Sequence, residues 1–324
     1  MINVNNLTKI KDGKLIINNL NFTIEYGKTV GILGVKGSGK SLALNMITGY
    51  IPFSKGNVKI CDFDLKSNPI MAKKQFGYMP QDLPLYEYMT VKSYLNFVFD
   101  LKDINLDKNS HILDICELVG LQEEYNKIIK NLSFDKKKYV SLAQALLGNP
   151  NILILDNPTM GLSENQISKL QDKIKYVSNE KTLIMSTNKL KNIQSICTHV
   201  IVMDKGKIIA NEETEEILKV LSGTNQYIIE VKGSESIIYN ILKNVSGVSR
   251  VKKLEGAKSG SFKYIIESGY HIDIRMSVVN SMESAGLKII DFHKYKRILK
   301  NVLYQITNRN NIEDVANSIF DITK

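Results

Sequence analysis

A glycine-rich segment, GVKGSGKS at residues 34–41, limits most strongly what this chain can fold into. It matches the pattern G-x-x-x-x-G-K-[ST] in full, follows the β-branched run TVGIL and precedes the amphipathic run SLALNMI. A strand, a loop and a helix in this order surround a phosphate with backbone N–H groups and the positive end of a helix dipole. The sequence therefore predicts an α/β domain that binds ATP or GTP.

The residues of this loop have distinct expected roles. Lys40 is expected to reach the β- and γ-phosphates, and the Ser41 hydroxyl is expected to ligate Mg²⁺. The other loop residues are expected to bring backbone N–H groups to the phosphates: Gly34, Val35, Lys36, Gly37, Ser38 and Gly39.

A second run, ILILDNPTMGL at residues 152–162, ends a buried strand in a carboxylate. Its four branched apolar residues predict a parallel strand, and Asp156 at the end of that strand is expected at a metal–phosphate site. The next residue is Asn157, an amide that cannot accept a proton from water. Nucleotide binding is therefore predicted, and hydrolysis is left open.

The composition is that of an ordinary globular protein long enough for two domains. Of its 324 residues, 43% are hydrophobic and 23% are charged. No window approaches the roughly 18 consecutive apolar residues of a membrane span, and no signal peptide is evident, so we predict a soluble cytosolic protein. The three cysteines are scattered, and the net charge of +10 is spread evenly, so neither disulfides nor nucleic-acid binding is expected.

Two domains are expected along the chain. Residues 1–222 alternate short β-branched runs with helical patterns, and a helical insertion is predicted at about 85–150. The segment SGTNQ at 222–226 gives the predicted boundary to a second domain over residues 226–324. The strands predicted for the first domain are Ile2–Val4, Leu20–Ile24, Thr29–Leu33, Asn57–Ile60, Gly77–Met79, Ile152–Leu155, Thr182–Met185, Val200–Met203 and Lys207–Ala210.

The second domain is predicted to be a small α+β unit. Its pattern gives the order β-α-β-β-α-β, which is typical of the ferredoxin-like arrangement. The corresponding segments are Tyr227–Val231, Glu235–Lys243, Val248–Lys253, Phe262–Glu267, Arg275–Ala285 and Lys288–Asp291, and two further helical segments, Lys294–Thr307 and Asn311–Thr323, close the chain.

Six segments together resemble the ATP-binding subunit of ABC transporters, with the ABC-2 type exporter and gliding-motility branch most similar. They are VGILGVKGSGKS, FGYMPQDLPLYEYMTV, LSFDKKKYVSLAQALLGNP, ILILDNPTMGL, TLIMSTNKL and VIVMDKGKII. The resemblance implies a P-loop NTPase fold, in which a RecA-like core carries an antiparallel β subdomain and a helical subdomain. It also implies ATP and Mg²⁺ as cofactors. The implied partners are a second ATP-binding subunit, identical or different, and a transmembrane subunit that holds the chain at the inner face of the membrane.

The resemblance assigns roles to further residues. Gln81 corresponds to the Q-loop glutamine that touches Mg²⁺, and Asp156 to the aspartate that holds Mg²⁺ through water. Ser133 corresponds to the signature serine, which faces the γ-phosphate bound by the partner subunit. The segment LPLYEYMTV resembles the surface that receives a membrane subunit, and its Tyr86 and Tyr88 are either partner contacts or part of the local core.

The chain departs from the family pattern where hydrolysis, switching and adenine stacking are expected. Asn157 replaces the glutamate general base and Asn188 replaces the switch histidine. The other departures are Phe134 and Asp135 in place of signature glycines, Ser163 in place of an aspartate, and Lys11 in place of the aromatic residue that stacks on adenine. Two hypotheses follow: an exporter subunit with weak or no hydrolysis in the isolated chain, or a non-hydrolysing nucleotide-dependent clamp of a membrane complex. The sequence indicates no transported substrate.

Overall fold

The computed structural model describes residues 1–221, 225–255, 260–269 and 272–294. The chain forms two compact units, and in sequence the first gives way to the second between Thr214 and Glu215. The predicted boundary at 222–226 falls mostly outside the described residues and stays a prediction. Within the described ranges, no helix is both long enough and apolar enough to span a bilayer.

The first unit contains ten strands among its described residues. They are β1 (Ile2–Lys11), β2 (Lys14–Ile24), β3 (Thr29–Leu33), β4 (Lys55–Ile60), β5 (Phe63–Asp64), β6 (Phe76–Met79), β7 (Ile152–Asp156), β8 (Thr182–Thr187), β9 (His199–Asp204) and β10 (Lys207–Glu213). Each strand predicted for this region lies within one of these. Its helices, the last of which crosses into the second unit, are α1 (Lys40–Ile47), α2 (Pro69–Lys74), α3 (Val91–Leu101), α4 (Lys108–Val119), α5 (Phe134–Leu146), α6 (Glu164–Val177), α7 (Lys191–Gln194) and α8 (Thr214–Leu221).

The central sheet has six strands in the order β10-β9-β3-β8-β7-β6. Its neighbouring strands run parallel except for β9 and β10, which are antiparallel. Every residue of β7 and β8 is buried, as expected for parallel strands covered on both faces. The carboxyl ends of these strands share one edge, where ligands bind in open α/β sheets.

A second, antiparallel sheet has the order β2-β1-β4-β5. Its inward side chains, including Val4, Leu20 and Val58, share one apolar core with Leu44 and Met46 of α1. This core fixes the helix that follows the phosphate-binding loop.

The helical insertion is built from α3, α4 and α5. Two of its helices, α3 and α4, begin at side-chain N-caps: the Thr90 side chain accepts a hydrogen bond from the Ser93 N–H at 3.1 Å, and Asp107 accepts one from the Ser110 N–H at 2.8 Å. The structure thus confirms a helical subdomain, an antiparallel β subdomain and a parallel core in this unit.

The second unit has the predicted ferredoxin-like order. Its elements are β11 (Asn225–Lys232), α9 (Glu235–Asn244), β12 (Val248–Leu254), β13 (Ser261–Ser268), α10 (Arg275–Ser284) and β14 (Lys288–Lys294). The strands pair antiparallel in the order β12-β13-β11-β14, and Ile238 and Val278 of the two helices share a core with Tyr227 and Tyr264. The predicted helical segments after Lys294 lie outside the described residues.

Candidate nucleotide site

The glycine-rich loop joins β3 to α1 at the carboxyl edge of the central sheet. Gly37 and Gly39 have φ values of 85° and 101°, a backbone region that favours glycine. At Gly39 this φ strains any residue with a side chain, and a Cβ atom there would also lie 2.6 Å from Ile17 Cδ1. The loop is therefore a cradle of backbone, in which amide groups rather than side chains can approach a ligand.

The Lys40 ammonium is held inside this cradle. It is 8% exposed, and its Nζ donates to the carbonyl oxygens of Gly34 at 2.7 Å and Val35 at 3.0 Å and to Ser38 Oγ at 3.3 Å. Burial lowers the pKa of Lys40 to about 8, and the Asp156 carboxylate opposes this shift. A compact cation in a loop of N–H groups is a binding arrangement for phosphate oxygens.

Two hydroxyl groups converge on the Asp156 carboxylate. Ser41 Oγ donates to Asp156 Oδ1 at 3.0 Å, and Ser186 Oγ donates to the same oxygen. Burial raises the pKa of Asp156, against the hydrogen bonds from the two serines and the nearby charges of Lys40 and Lys138, which lower it. Because Mg²⁺ prefers oxygen ligands, a serine hydroxyl 3.0 Å from a carboxylate oxygen beside a phosphate cradle is a donor set that fits this ion.

Asn157 and Gln81 form a direct side-chain pair. Asn157 Nδ2 donates to Gln81 Oε1 at 3.2 Å, and the Asn157 N–H donates to Ser186 Oγ at 2.9 Å. Asn157 has a φ of 46°, in the left-handed region that asparagine tolerates better than most residues. Its amide is thus a hydrogen-bond donor at the position where the resemblance expects a general base.

A cavity of about 530 Å³ is lined by Lys40, Ser41, Gln81 and Asn157. It brings together eight of the predicted site residues with three that the sequence interpretation missed, Ile16, Leu42 and Met160. The predicted ones are Lys36, Gly37, Gly39, Lys40, Ser41, Gln81, Asn157 and Asn188. The Ile16 backbone passes close to Gly206, where a Cβ atom would lie 1.9 Å from the Ile16 carbonyl oxygen.

Six predicted site residues are not among the described residues that line this cavity. Four of them contact Lys40 or Ser41 directly: Gly34, Val35, Ser38 and Asp156. The other two are Lys11 and Ser133. Lys11 ends β1 and pairs with Lys14 across the turn to β2, and its adenine-facing role stays a prediction. Ser133 is exposed and precedes α5 as its N-cap, so its role toward a partner's nucleotide also stays a prediction.

The other departures from the family pattern have local structural partners. The Phe134 ring lies against Gly161, where a Cβ atom would be 2.8 Å from Phe134 Cε1. Ser163 is the N-cap of α6, and its N–H donates to Gln166 Oε1 at 3.0 Å. Serine and aspartate are comparable N-caps, so the change at this position preserves the helix start.

The fold and the site together define a nucleotide-binding cassette. The sequence family described as "ABC transporter" matches residues 17–160. Methionine import ATP-binding protein MetN of Clostridioides difficile is 30% identical over 248 residues, which are 74% of this chain and 75% of that protein. The chain belongs to the ABC transporter family as an ATP-binding protein.

Other relatives extend over more of the chain. Linearmycin resistance ATP-binding protein LnrL of Bacillus subtilis is 22% identical over 313 residues, which are 95% of this chain and 99% of that protein. Bacitracin transport ATP-binding protein BcrA of Bacillus licheniformis is 26% identical over 301 residues, 90% of this chain and 97% of that protein. The cassette MJ0796, solved as a dimer with ADP and Pi, has a TM-score of 0.61 and 23% identity over 66% of this chain and 99% of its own, which shows the fold.

Proposed function

We propose that this protein is the ATP-binding subunit of a membrane exporter, and that the isolated chain binds Mg-ATP but hydrolyses it weakly or not at all. The observation that carries this proposal is the contrast within one site. Lys40, Ser41 and Asp156 keep the groups that bind phosphate and metal, whereas an amide occupies the position of the general base.

Nucleotide binding is supported by the hydrogen bonds that the Lys40 ammonium makes. Its ammonium donates to two loop carbonyls, at 2.7 and 3.0 Å, that carry no net charge. Hydrogen bonds between charged groups are stronger than those to neutral acceptors, so phosphate oxygens would compete well for this cation. Ser41 and Asp156, with Gln81 by resemblance, would hold Mg²⁺, whose bound charge would neutralise phosphate oxygens.

Impaired hydrolysis is supported by the chemistry of Asn157. Its carboxamide has no basic site for a water proton, and its Nδ2 group is bonded to Gln81. Loss of a general base typically lowers a rate by roughly 10²–10⁴-fold. Asn188 lines the same cavity and offers an amide where the resemblance expects an imidazole.

The proposed partners are a second cassette and a transmembrane subunit. The resemblance predicts a head-to-tail pair, identical or different, in which Ser133 faces the partner's nucleotide. A separate groove of about 630 Å³, lined by residues including Tyr50, Pro84, Leu85 and Tyr94, offers an apolar seat for a helix of the membrane subunit. Tyr88 nearby in sequence is 84% exposed, which supports a contact role for this segment. Such a complex would hold the chain at the cytoplasmic face of the membrane.

The exporter assignment rests on the relatives that cover most of the chain. LnrL is named for linearmycin resistance and BcrA for bacitracin transport, and removal of a toxic compound from the cell is one way in which a transport system gives resistance. We therefore propose export as the direction.

The proposal is tested by equilibrium binding of ATP to the full chain with and without Mg²⁺. The wild-type protein is expected to bind ATP more tightly with Mg²⁺, and Lys40→Ala is expected to lose most of this affinity. Lys169→Ala, at an exposed position on α6, is the matched control and should bind as the wild type does. Equal binding by wild type and Lys40→Ala would contradict the proposal.

A non-hydrolysing clamp is the second candidate, and it is favoured by the amide of Asn157, which has no basic site for a water proton in this cavity. A clamp would retain unhydrolysed ATP in a long-lived dimer. Sedimentation of the chain with Mg-ATP over hours, followed by nucleotide extraction, separates the two candidates. Recovered ATP in a stable dimer supports the clamp, and recovered ADP in monomers supports the exporter subunit with residual turnover.

A further inference from the structure

Lys138 is a buried cation that the nucleotide site described above does not explain. It lies in the second turn of α5 and is 1% exposed, although the first turn of that helix lies at the surface. A buried ammonium is costly unless hydrogen-bonded or paired. Its Nζ donates to the Gln81 carbonyl oxygen at 3.3 Å, and the carboxylates of Asp82 and Asp156 act on it electrostatically.

Gln81 is therefore held from two directions. Asn157 Nδ2 binds its side-chain oxygen at 3.2 Å, and Lys138 Nζ binds its backbone carbonyl oxygen at 3.3 Å. The first contact comes from the end of β7 in the core, and the second from the helical insertion. Gln144, further along α5, also donates to a backbone carbonyl of the same segment, Tyr78 O at 2.6 Å.

The Phe134 side chain, at the start of α5, lies next to Lys138. The Lys138 ammonium lies 5.5 Å from the centroid of the Phe134 ring, within range for a cation–π interaction. The same ring packs against Gly161, four residues after Asn157. A glycine at position 134 would provide neither contact, so the unusual Phe134 gives the buried ammonium an aromatic neighbour.

We propose that Lys138 is a positioning residue for Gln81, which connects the signature helix α5 to the metal side of the nucleotide cavity within one chain. This role rests on the proposed Mg-nucleotide binding. Lys138 acts through the Gln81 backbone, and the Phe134 ring lies beside the ammonium that makes this contact. The replacements at positions 134 and 157 are then two parts of one network centred on Gln81.

Lys102 provides a matched control. It is another largely buried lysine of the helical insertion, and its Nζ donates to the carbonyl oxygens of Gln144 at 2.8 Å and Leu147 at 3.3 Å. These carbonyls close the C-terminal end of α5, away from the nucleotide cavity. Lys102→Met thus removes a buried ammonium and its carbonyl contacts without touching Gln81.

The test is the Mg²⁺ concentration that gives half-maximal ATP binding by the full chain. Lys138→Met is expected to raise it by on the order of tenfold, as for loss of groups that orient metal ligands. Lys138→Arg should restore most of the wild-type value, Lys102→Met should leave it unchanged, and Lys138→Met should add nothing in a Gln81→Ala background. Together these results would support the positioning role.

Three results would overturn it: equal values for Lys138→Met and wild type, equal shifts for Lys138→Met and Lys102→Met, or a full shift that persists in Gln81→Ala. If Lys138→Met does not fold, Phe134→Gly at its half-exposed site takes its place. This variant is expected to raise the Mg²⁺ concentration for half-maximal binding by less than Lys138→Met would, and an unchanged concentration would contradict the role. Wild-type protein without any Lys40-dependent ATP binding would instead remove the proposed function and this role with it.

Discussion

The two sides of the nucleotide cavity differ in what they retain. On the phosphate side, Lys40 and Ser41 extend from a loop whose path favours glycine, and Ser41 is bonded to Asp156 at 3.0 Å. On the side where the resemblance expects the hydrolytic groups, Asn157 and Asn188 present amides to the same cavity. Amides donate and accept hydrogen bonds but do not take protons near neutral pH. Under the proposed roles, binding and turnover depend on separate groups, so that a chain of this kind could keep one while the other is reduced.

Asn157→Glu should have the largest effect on the difference between binding and turnover. A carboxylate at this position restores a base for water, so phosphate release is expected to rise by roughly 10²–10⁴-fold over the wild-type chain. Steady-state phosphate release with saturating Mg-ATP measures the effect.

Asn157→Gln is the control for this change, because it has the length of glutamate without its basicity. It should stay at the wild-type rate. An equal gain for Gln and Glu would show that side-chain length, not a base, limits the reaction, and no gain for either would place the defect at Asn188 and the signature.

Lys40→Ala should weaken ATP binding on the order of 100-fold, because a charged hydrogen-bond donor to phosphate is lost, worth about 3 kcal/mol. Isothermal titration measures this loss, beside Lys169→Ala on the exposed side of α6. A loss of ATP affinity below threefold would mean that the loop backbone alone holds the phosphates. Binding on the phosphate side would then not depend on the Lys40 ammonium.

Lys11→Tyr should tighten ATP binding about tenfold, because base stacking on an aromatic ring contributes about 1–3 kcal/mol. The matched control is Lys14→Tyr, which pairs with Lys11 across the same turn. Fluorescence titration with ATP and with inorganic triphosphate separates base contacts from phosphate contacts. Equal tightening by both tyrosines would show that Lys11 has no special place beside the base, and Ile16 would be the better candidate.

The smallest expected effect is on the thermal stability of the nucleotide-free protein, which Asp156→Asn should raise. Burial raises the pKa of Asp156 in the folded chain, so its ionised form destabilises the nucleotide-free protein at neutral pH. The variant should melt about 2–4 °C higher if the relief is about 1 kcal/mol.

This gain should shrink as the pH falls through the pKa of Asp156, because the wild-type carboxyl is then protonated and its cost disappears. Thermal melts between pH 7 and pH 4 test the sign, with the exposed Asp172→Asn as control. A gain that grows toward acid pH would contradict this account of Asp156.

The parts of the site that are local in sequence could be predicted. The phosphate-binding loop and the ILILD strand carry their structure in consecutive residues, because glycine and branched apolar side chains limit the backbone directly. The same holds for the second unit, where the sequence pattern predicted the order of helices and strands along the chain that the structure confirms.

Contacts between residues far apart in sequence could not be predicted. Asn157 with Gln81 and Phe134 with Gly161 join positions 76 and 27 residues apart, and no periodicity encodes such pairs. Ile16 was missed for the same reason, since the Gly206 turn beside its backbone lies 190 residues later. The sequence thus indicates which residues are unusual, and only the fold shows that some of them contact one another.

The most direct test of the central claim is steady-state phosphate release by the wild-type chain at saturating Mg-ATP, with Lys40→Ala protein purified in parallel to define the background. ATP binding is measured on the same samples, so that an inactive preparation is recognised. The account predicts Lys40-dependent binding together with phosphate release close to the Lys40→Ala background. Phosphate release far above that background would contradict it, because another group would then be activating water without a carboxylate at position 157.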